Sequence, residues 1–96
     1  MPALKRSRVS FVVDGPIAPT DLPGLCRRVC ALLERSGAAL AFCDVKSVPA
    51  DVVTVDALAR LQLAAHRYGC QVRLRGASEE LRELLEFMGL RDVLPG

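Results

Sequence analysis

Residues 72–90 read VRLRGASEELRELLEFMGL, and this stretch decides the fold class. Val72 and Leu74 alternate with Arg73 and Arg75, the period of two expected of a strand with one buried face. The spacing predicts a strand over 70–75, which Gly76 breaks. Ser78 then stands where a helix N-cap belongs, with its hydroxyl able to accept a hydrogen bond from a free amide of the first turn. Glu79 and Glu80 place negative charge at the positive end of the helix dipole. Leu81, Leu84, Leu85 and Met88 recur at helical spacing and form the expected buried stripe. Gly89 followed by Leu90 reads as a glycine C-cap with its hydrophobic follower.

Working upstream, a second helix is expected over 52–68, ending at Gly69. Before it lie a loop over 46–50 and the run ALAFC at 39–43, closed by Asp44. An apolar run of that length predicts a strand within 38–45 that is covered on both faces, as in a parallel sheet. Val9, Phe11 and Val13 alternate with Arg8, Ser10 and Val12, so the first strand is expected to bury one face firmly. Asp14-Gly15-Pro16 stops it, and Pro16 and Pro19 stiffen the turn that follows. Thr20 or Asp21 then caps a first helix, with Pro23 tolerated in its opening turn. Leu22, Leu25, Cys26, Val29, Leu32 and Leu33 form its inner stripe, Arg27, Arg28, Glu34 and Arg35 face out, and Gly37 ends it.

The order is therefore strand, helix three times over. Such alternation predicts an α/β domain with right-handed crossovers and a small, mainly parallel sheet of three to five strands with helices packed against it. Ligands and partners of such sheets meet the loops at the carboxyl ends of the strands, here beginning at Asp14, Asp44 and Gly76. Residues 1–7 are expected to be an N-terminal arm or partial edge strand, and 8–96 the domain.

Composition sets the limits on function. The 96 residues suffice for one domain, and 51% hydrophobic with 25% charged residues builds a core without disulfides. A net charge of +2 gives no electrostatic case for nucleic acid or membrane. Lys5, Arg6 and Arg8 read as a solvated basic terminus. No apolar run approaches the roughly 20 residues of a membrane span, and the N-terminus lacks a signal peptide's apolar stretch. A cytosolic location and no membrane insertion follow as expectations. The four cysteines, Cys26, Cys30, Cys43 and Cys70, include no Cys-x-x-Cys pair. They read as free thiols in a reducing compartment rather than metal ligands. The single histidine, His66, reads as a helix-boundary residue. With no Gly-x-Ser-x-Gly, no phosphate-cradling glycine loop and no metal-ligand spacing, neither an enzyme nor a cofactor is expected. Asp14 and Asp44 serve equally well as turn formers.

The sequence resembles the STAS domain, the fold of bacterial anti-sigma factor antagonists. The likeness covers roughly 8–94 and rests on Gly15-Pro16-Ile17, on Cys43-Asp44-Val45, on ADVVTVDALARLQLAAHRYG at 50–69 and on the 72–90 stretch. The resemblance implies a protein-docking module that acts through the start of its second helix. Family antagonists carry Asp-Ser-Ser-Gly at that helix start, and a kinase phosphorylates the first serine to release the partner. The motif aligns on Asp51-Val52-Val53-Thr54. Asp51 remains as an N-cap, but the phosphorylated serine is Val52, which cannot accept phosphate. The family's acidic residue after the first glycine is Ala18 here. Thr54 is the nearest hydroxyl, expected to pack at the helix start rather than to be a displaced phosphosite.

The second helix supports docking without the family. Thr54, Leu58, Leu61, Ala65 and Tyr68 share one face, the expected core stripe. Val52, Val55 or Asp56, Ala59, Leu63 and His66 follow along another, rimmed by Asp56, Arg60 and Arg67. An aligned apolar series rimmed by charge points to a partner surface. The expected docking residues are thus Asp51, Val52, Val55, Asp56, Ala59, Arg60 and Leu63. The resemblance implies as partner a kinase-type anti-sigma factor or, without need of the serine switch, the ATPase subunit of a lipid-transport ABC system. A small-ligand or nucleotide sensor using the strand-end loops is the third reading.

Overall fold

The computed structural model describes residues 8–96; the expected arm or edge strand at 1–7 lies outside the described residues. Three strands, β1 (Arg8–Val12), β2 (Leu40–Asp44) and β3 (Gln71–Arg75), alternate with three helices, α1 (Leu22–Ser36), α2 (Val52–His66) and α3 (Glu79–Phe87). A short 3-10 turn, Pro19–Asp21, leads into α1. Among the described residues all strand pairings are parallel, in the order β1-β2-β3, with Val9 beside Ala41 and Ala41 beside Val72. The α/β class and the parallel sheet are as the sequence predicts.

Helix ends follow the local chemistry closely. Ser78 accepts a hydrogen bond from the Leu81 amide at 3.1 Å and caps α3. At its far end Gly89 adopts φ +73°, and the Leu90 amide reaches back to the Leu85 carbonyl at 2.8 Å. That bond, with Gly89 N–H to Glu86 at 3.1 Å, forms a Schellman motif. The same pair of bonds ends α2 at Gly69, through Cys70 N–H to Ala65 and Gly69 N–H to His66, both 3.1 Å. The start of α1 differs from expectation. Neither Thr20 nor Asp21 caps it by side chain; the Asp21 carboxylate instead accepts from the Ala18 amide at 3.2 Å and closes the preceding turn.

All three helices contribute to one core, and the sheet residues in that core come from one face only: Val13, Ala41, Cys43, Val45, Val72 and Leu74, with Val9 and Phe11 packed against them. This corrects two expectations. β2 is not covered on both faces, because Ala41 and Cys43 are fully buried while Leu40, Phe42 and Asp44 are only half-buried. β1 does not bury a face firmly, since Val9 and Phe11 are half-buried on what is an edge strand among the described residues. Tyr68 and Met88, placed on core stripes by spacing, are both exposed. The helices end at His66 and Phe87, so both residues lie past the last helical turn and out of its phase.

One buried polar side chain was absent from the expected core. Gln62 on α2 is 1% exposed and makes three hydrogen bonds to backbone: to the Val72 carbonyl (2.8 Å), from the Val72 amide (2.8 Å) and to the Val93 carbonyl (2.7 Å). Buried amides are tolerated when satisfied in this way.

Candidate functional site

The start of α2 is fixed from both sides. Upstream, buried Val48 anchors the loop after β2, its amide bonded to the Val45 carbonyl at 3.3 Å. Asp51 then adopts an extended backbone, and its carboxylate accepts the Thr54 amide at 2.8 Å. This satisfies one of the free donors of the first turn and sets where the helix begins.

Beyond that cap the helix divides into an inner and an outer side. Thr54, Val55, Ala57, Leu58, Leu61, Gln62 and Ala65 are buried. On the outer side Val52 is 59% exposed, Val53 44% and Leu63 66%. Asp56 and Arg60 lie between them and pair at 2.9 Å. Both ends of that pair are well exposed, so it contributes only about 0.3–0.5 kcal/mol and acts mainly to hold the two charges in place. Ala59 is half-buried and packs against the core.

Of the expected docking residues, Asp51, Val52, Asp56, Arg60 and Leu63 thus share the exposed side, with Ala59 at its margin. Val55 does not. It is 0% exposed, because a residue one helical turn before Ala59 but rotated toward Leu58 points into the core. Of the two alternatives at that step of the stripe, Asp56 is the exposed one. Thr54 is also buried, at 1%, and its hydroxyl has no hydrogen-bond partner among the described residues. A kinase has no access to that oxygen while the helix start is formed.

The opposite wall of the site comes from the loop before α1 and its first residue, so neighbouring chain flanks the start of the outer stripe and leaves Val52 and Leu63 exposed. Ile17, Ala18, Pro19 and Leu22 face Val52, Val53, Asp56, Ala57 and Arg60 across an apolar groove of about 470 Å³. Ile17 is buried and ties the turn to the core. The signal for this wall was the apolar Ile17 set between Pro16 and Pro19, two residues that restrict the chain on either side of it.

The loop after β1 and the start of α1 make a second cleft of about 450 Å³, lined by Asp14, Thr20, Asp21, Arg27 and Arg28 among others. Asp44 does not join Asp14 there. Its carboxylate accepts the Lys46 amide at 3.0 Å and lies 3.7 Å from the Lys46 ammonium, so it closes its own turn. His66 is exposed on the last turn of α2.

All four cysteines are free, Cys43 and Cys70 buried, Cys26 and Cys30 half-buried. Burial, with the Asp44 carboxylate adding to it, pushes the Cys43 thiol up to about 12. Burial likewise raises Cys70. Cys26 is raised by burial and by Cys30, against the opposing charge of Arg60. Thiols held in the neutral form are poor nucleophiles and poor metal ligands. Among the described residues no three His, Cys, Asp or Glu side chains gather as a metal site, and no helix is long and apolar enough to cross a membrane.

No protein-family model and no curated protein matches the chain. Among solved structures, the chain is similar to the STAS domain of a SulP transporter from Vibrio cholerae. The two superpose with a TM-score of 0.73 at 18% identity, over 98% of this chain and 70% of that one. The parallel sheet, the order of strands and helices and this superposition together give the chain the fold of a STAS domain.

Proposed function

We propose that this protein is an interaction module that docks a regulatory protein partner through the outer side of α2 and the groove beside it. The observation that carries the reading is the exposed series Val52, Val53 and Leu63 set around the Asp56–Arg60 pair. Aligned apolar side chains rimmed by charge, next to a groove of side-chain size, form the kind of patch whose burial drives association. The partner class is a kinase-type anti-sigma factor, as for an antagonist of that family, acting in the bacterial cytoplasm in transcription regulation. The usual serine switch is missing, since Val52 occupies its position, and buried Thr54 does not replace it. Non-enzymatic docking accounts for the site without any catalytic group.

The same absence favours a second partner. The ATPase subunit of a lipid-transport ABC system needs no phosphorylated serine on its STAS subunit, and the similar solved structure is itself a transporter's domain. Titrating the purified chain with each purified partner separates the two. Binding to neither the anti-sigma kinase nor the ATPase contradicts both readings.

A further inference from the structure

Parallel sheets are normally covered by helices on both faces. Here the face opposite the core carries Leu40 and Phe42 on the central strand, Val12 on β1, and three arginines on the outer strands, Arg8 on β1 with Arg73 and Arg75 on β3. None of these six belongs to the core. Among the described residues none of the three arginines forms an ion pair. The one carboxylate on the face, Asp44, is held by Lys46.

We infer that this face, which no helix covers among the described residues, docks an amphipathic helix of a partner protein, with an apolar stripe flanked by Asp or Glu. Dimensions and charge both specify that occupant. Two strands flanking a third lie about 10 Å apart, and an α-helix with its side chains is about 10–12 Å across. A helix laid along β2 therefore sets its apolar stripe on Leu40 and Phe42 and its two flanks beside Arg8 on one side and Arg73 and Arg75 on the other. Acidic flanks complement all three cations, and basic flanks oppose them. Single-stranded nucleic acid fits less well. The face has one aromatic residue, Phe42, so successive bases find no series of rings on which to stack. This site is on the other side of the sheet from α2, so it stands apart from the docking groove described above.

The test is an amide-resolved NMR titration of the full chain with three probes. The first is a synthetic peptide of about 18 residues, long enough to be helical alone, with leucines along one face and glutamates flanking them. The second replaces the glutamates with lysines, and the third is oligothymidylate. The inference expects the glutamate peptide to shift amides of β1, β2 and β3 and the lysine peptide to leave them unmoved. Arg73→Glu with Arg75→Glu should weaken binding about tenfold or more, while Leu63→Asp leaves it unchanged. Arg8→Glu, on the other outer strand, provides the same comparison should the double variant lose its dispersed spectrum. Shifts confined to α2, equal or tighter binding of the lysine peptide or of oligothymidylate, or no binding overturns the inference. So does self-association through the same amides, or binding that appears only after residues 1–7 are removed.

Discussion

The side-chain amide of Gln62 pairs with both backbone groups of Val72, donating to its carbonyl and accepting from its N–H, each at 2.8 Å. In a parallel sheet these two groups point out of the edge of β3, where a further strand would bond. A side chain on α2 thus stands in for that strand. The second Nε2 proton goes to Val93, and the Leu74 amide is taken by the Pro95 carbonyl at 2.8 Å. One set of bonds therefore closes the sheet edge, ties down the chain after α3 and fixes the rotation of α2. That rotation decides which of its residues face outward.

Gln62→Leu should be among the more damaging single substitutions in this domain. It keeps the volume but leaves the Val72 amide and carbonyl unpaired in the interior and removes the bond to the part-buried Val93 carbonyl. The expected loss is about 2–6 kcal/mol, since each of the two stranded buried groups of Val72 costs about 1–3 kcal/mol. Urea denaturation should show a lower midpoint with an unchanged slope.

Asp51→Ala should cost about 1 kcal/mol, the usual value of a lost N-cap. Asp51→Ser, which keeps an acceptor at the same place, should restore most of it. Thermal melts of the three proteins make the comparison.

Thr54→Val should leave stability unchanged or raise it by about 1 kcal/mol, because it removes a buried hydroxyl without a partner. Incubation with a cognate kinase and ATP, followed by mass spectrometry, should place no phosphate on Thr54. Phosphate there would mean that the helix start opens far enough to expose it.

Stability should fall at alkaline pH in a way that depends on Cys43. Its pKa is raised from 9.0 to about 12 by burial and the Asp44 carboxylate. Between those values the unfolded chain releases this proton and the folded chain keeps it, so unfolding gains with rising pH. The contribution is fully present below pH 9 and is lost as pH rises toward 12. Cys70 and Cys26 are shifted in the same direction and add to the trend. Denaturation of Cys43→Ala across that window should show a shallower decline than the wild type, although its stability at neutral pH is lower because a buried side chain has been trimmed.

Much of this was legible from residue patterns. Ser78, Gly37, Gly69 and Gly89 punctuate the helices where the sequence places their ends, because caps are local chemistry. Val52, Asp56, Arg60 and Leu63 stand exposed as their spacing implies. Val55 was misread because two neighbouring positions fit the same stripe, and only the packing of α2 decides between them. Gln62 was missed for a deeper reason. Nothing in LARLQLAAH marks a glutamine as buried; its partners lie 10 and 31 residues away and are backbone groups without a sequence signature. That the helices among the described residues cover only one face of the sheet was hidden too, since an apolar run such as ALAFC reads the same whether one face is covered or both.

The outer side of α2 is a docking surface only if its exposed residues set the affinity for a partner. The most direct measurement is the affinity of a purified partner, anti-sigma kinase or ABC ATPase, for the wild-type chain, Leu63→Asp and Arg82→Asp at an exposed position of α3, with melting temperatures recorded for each. Leu63→Asp should weaken binding about tenfold or more, the scale of a truncated hot spot, while its melting temperature stays within a few degrees of wild type. Arg82→Asp should bind as wild type does. A Leu63→Asp chain that melts normally and binds with unchanged affinity would contradict the claim.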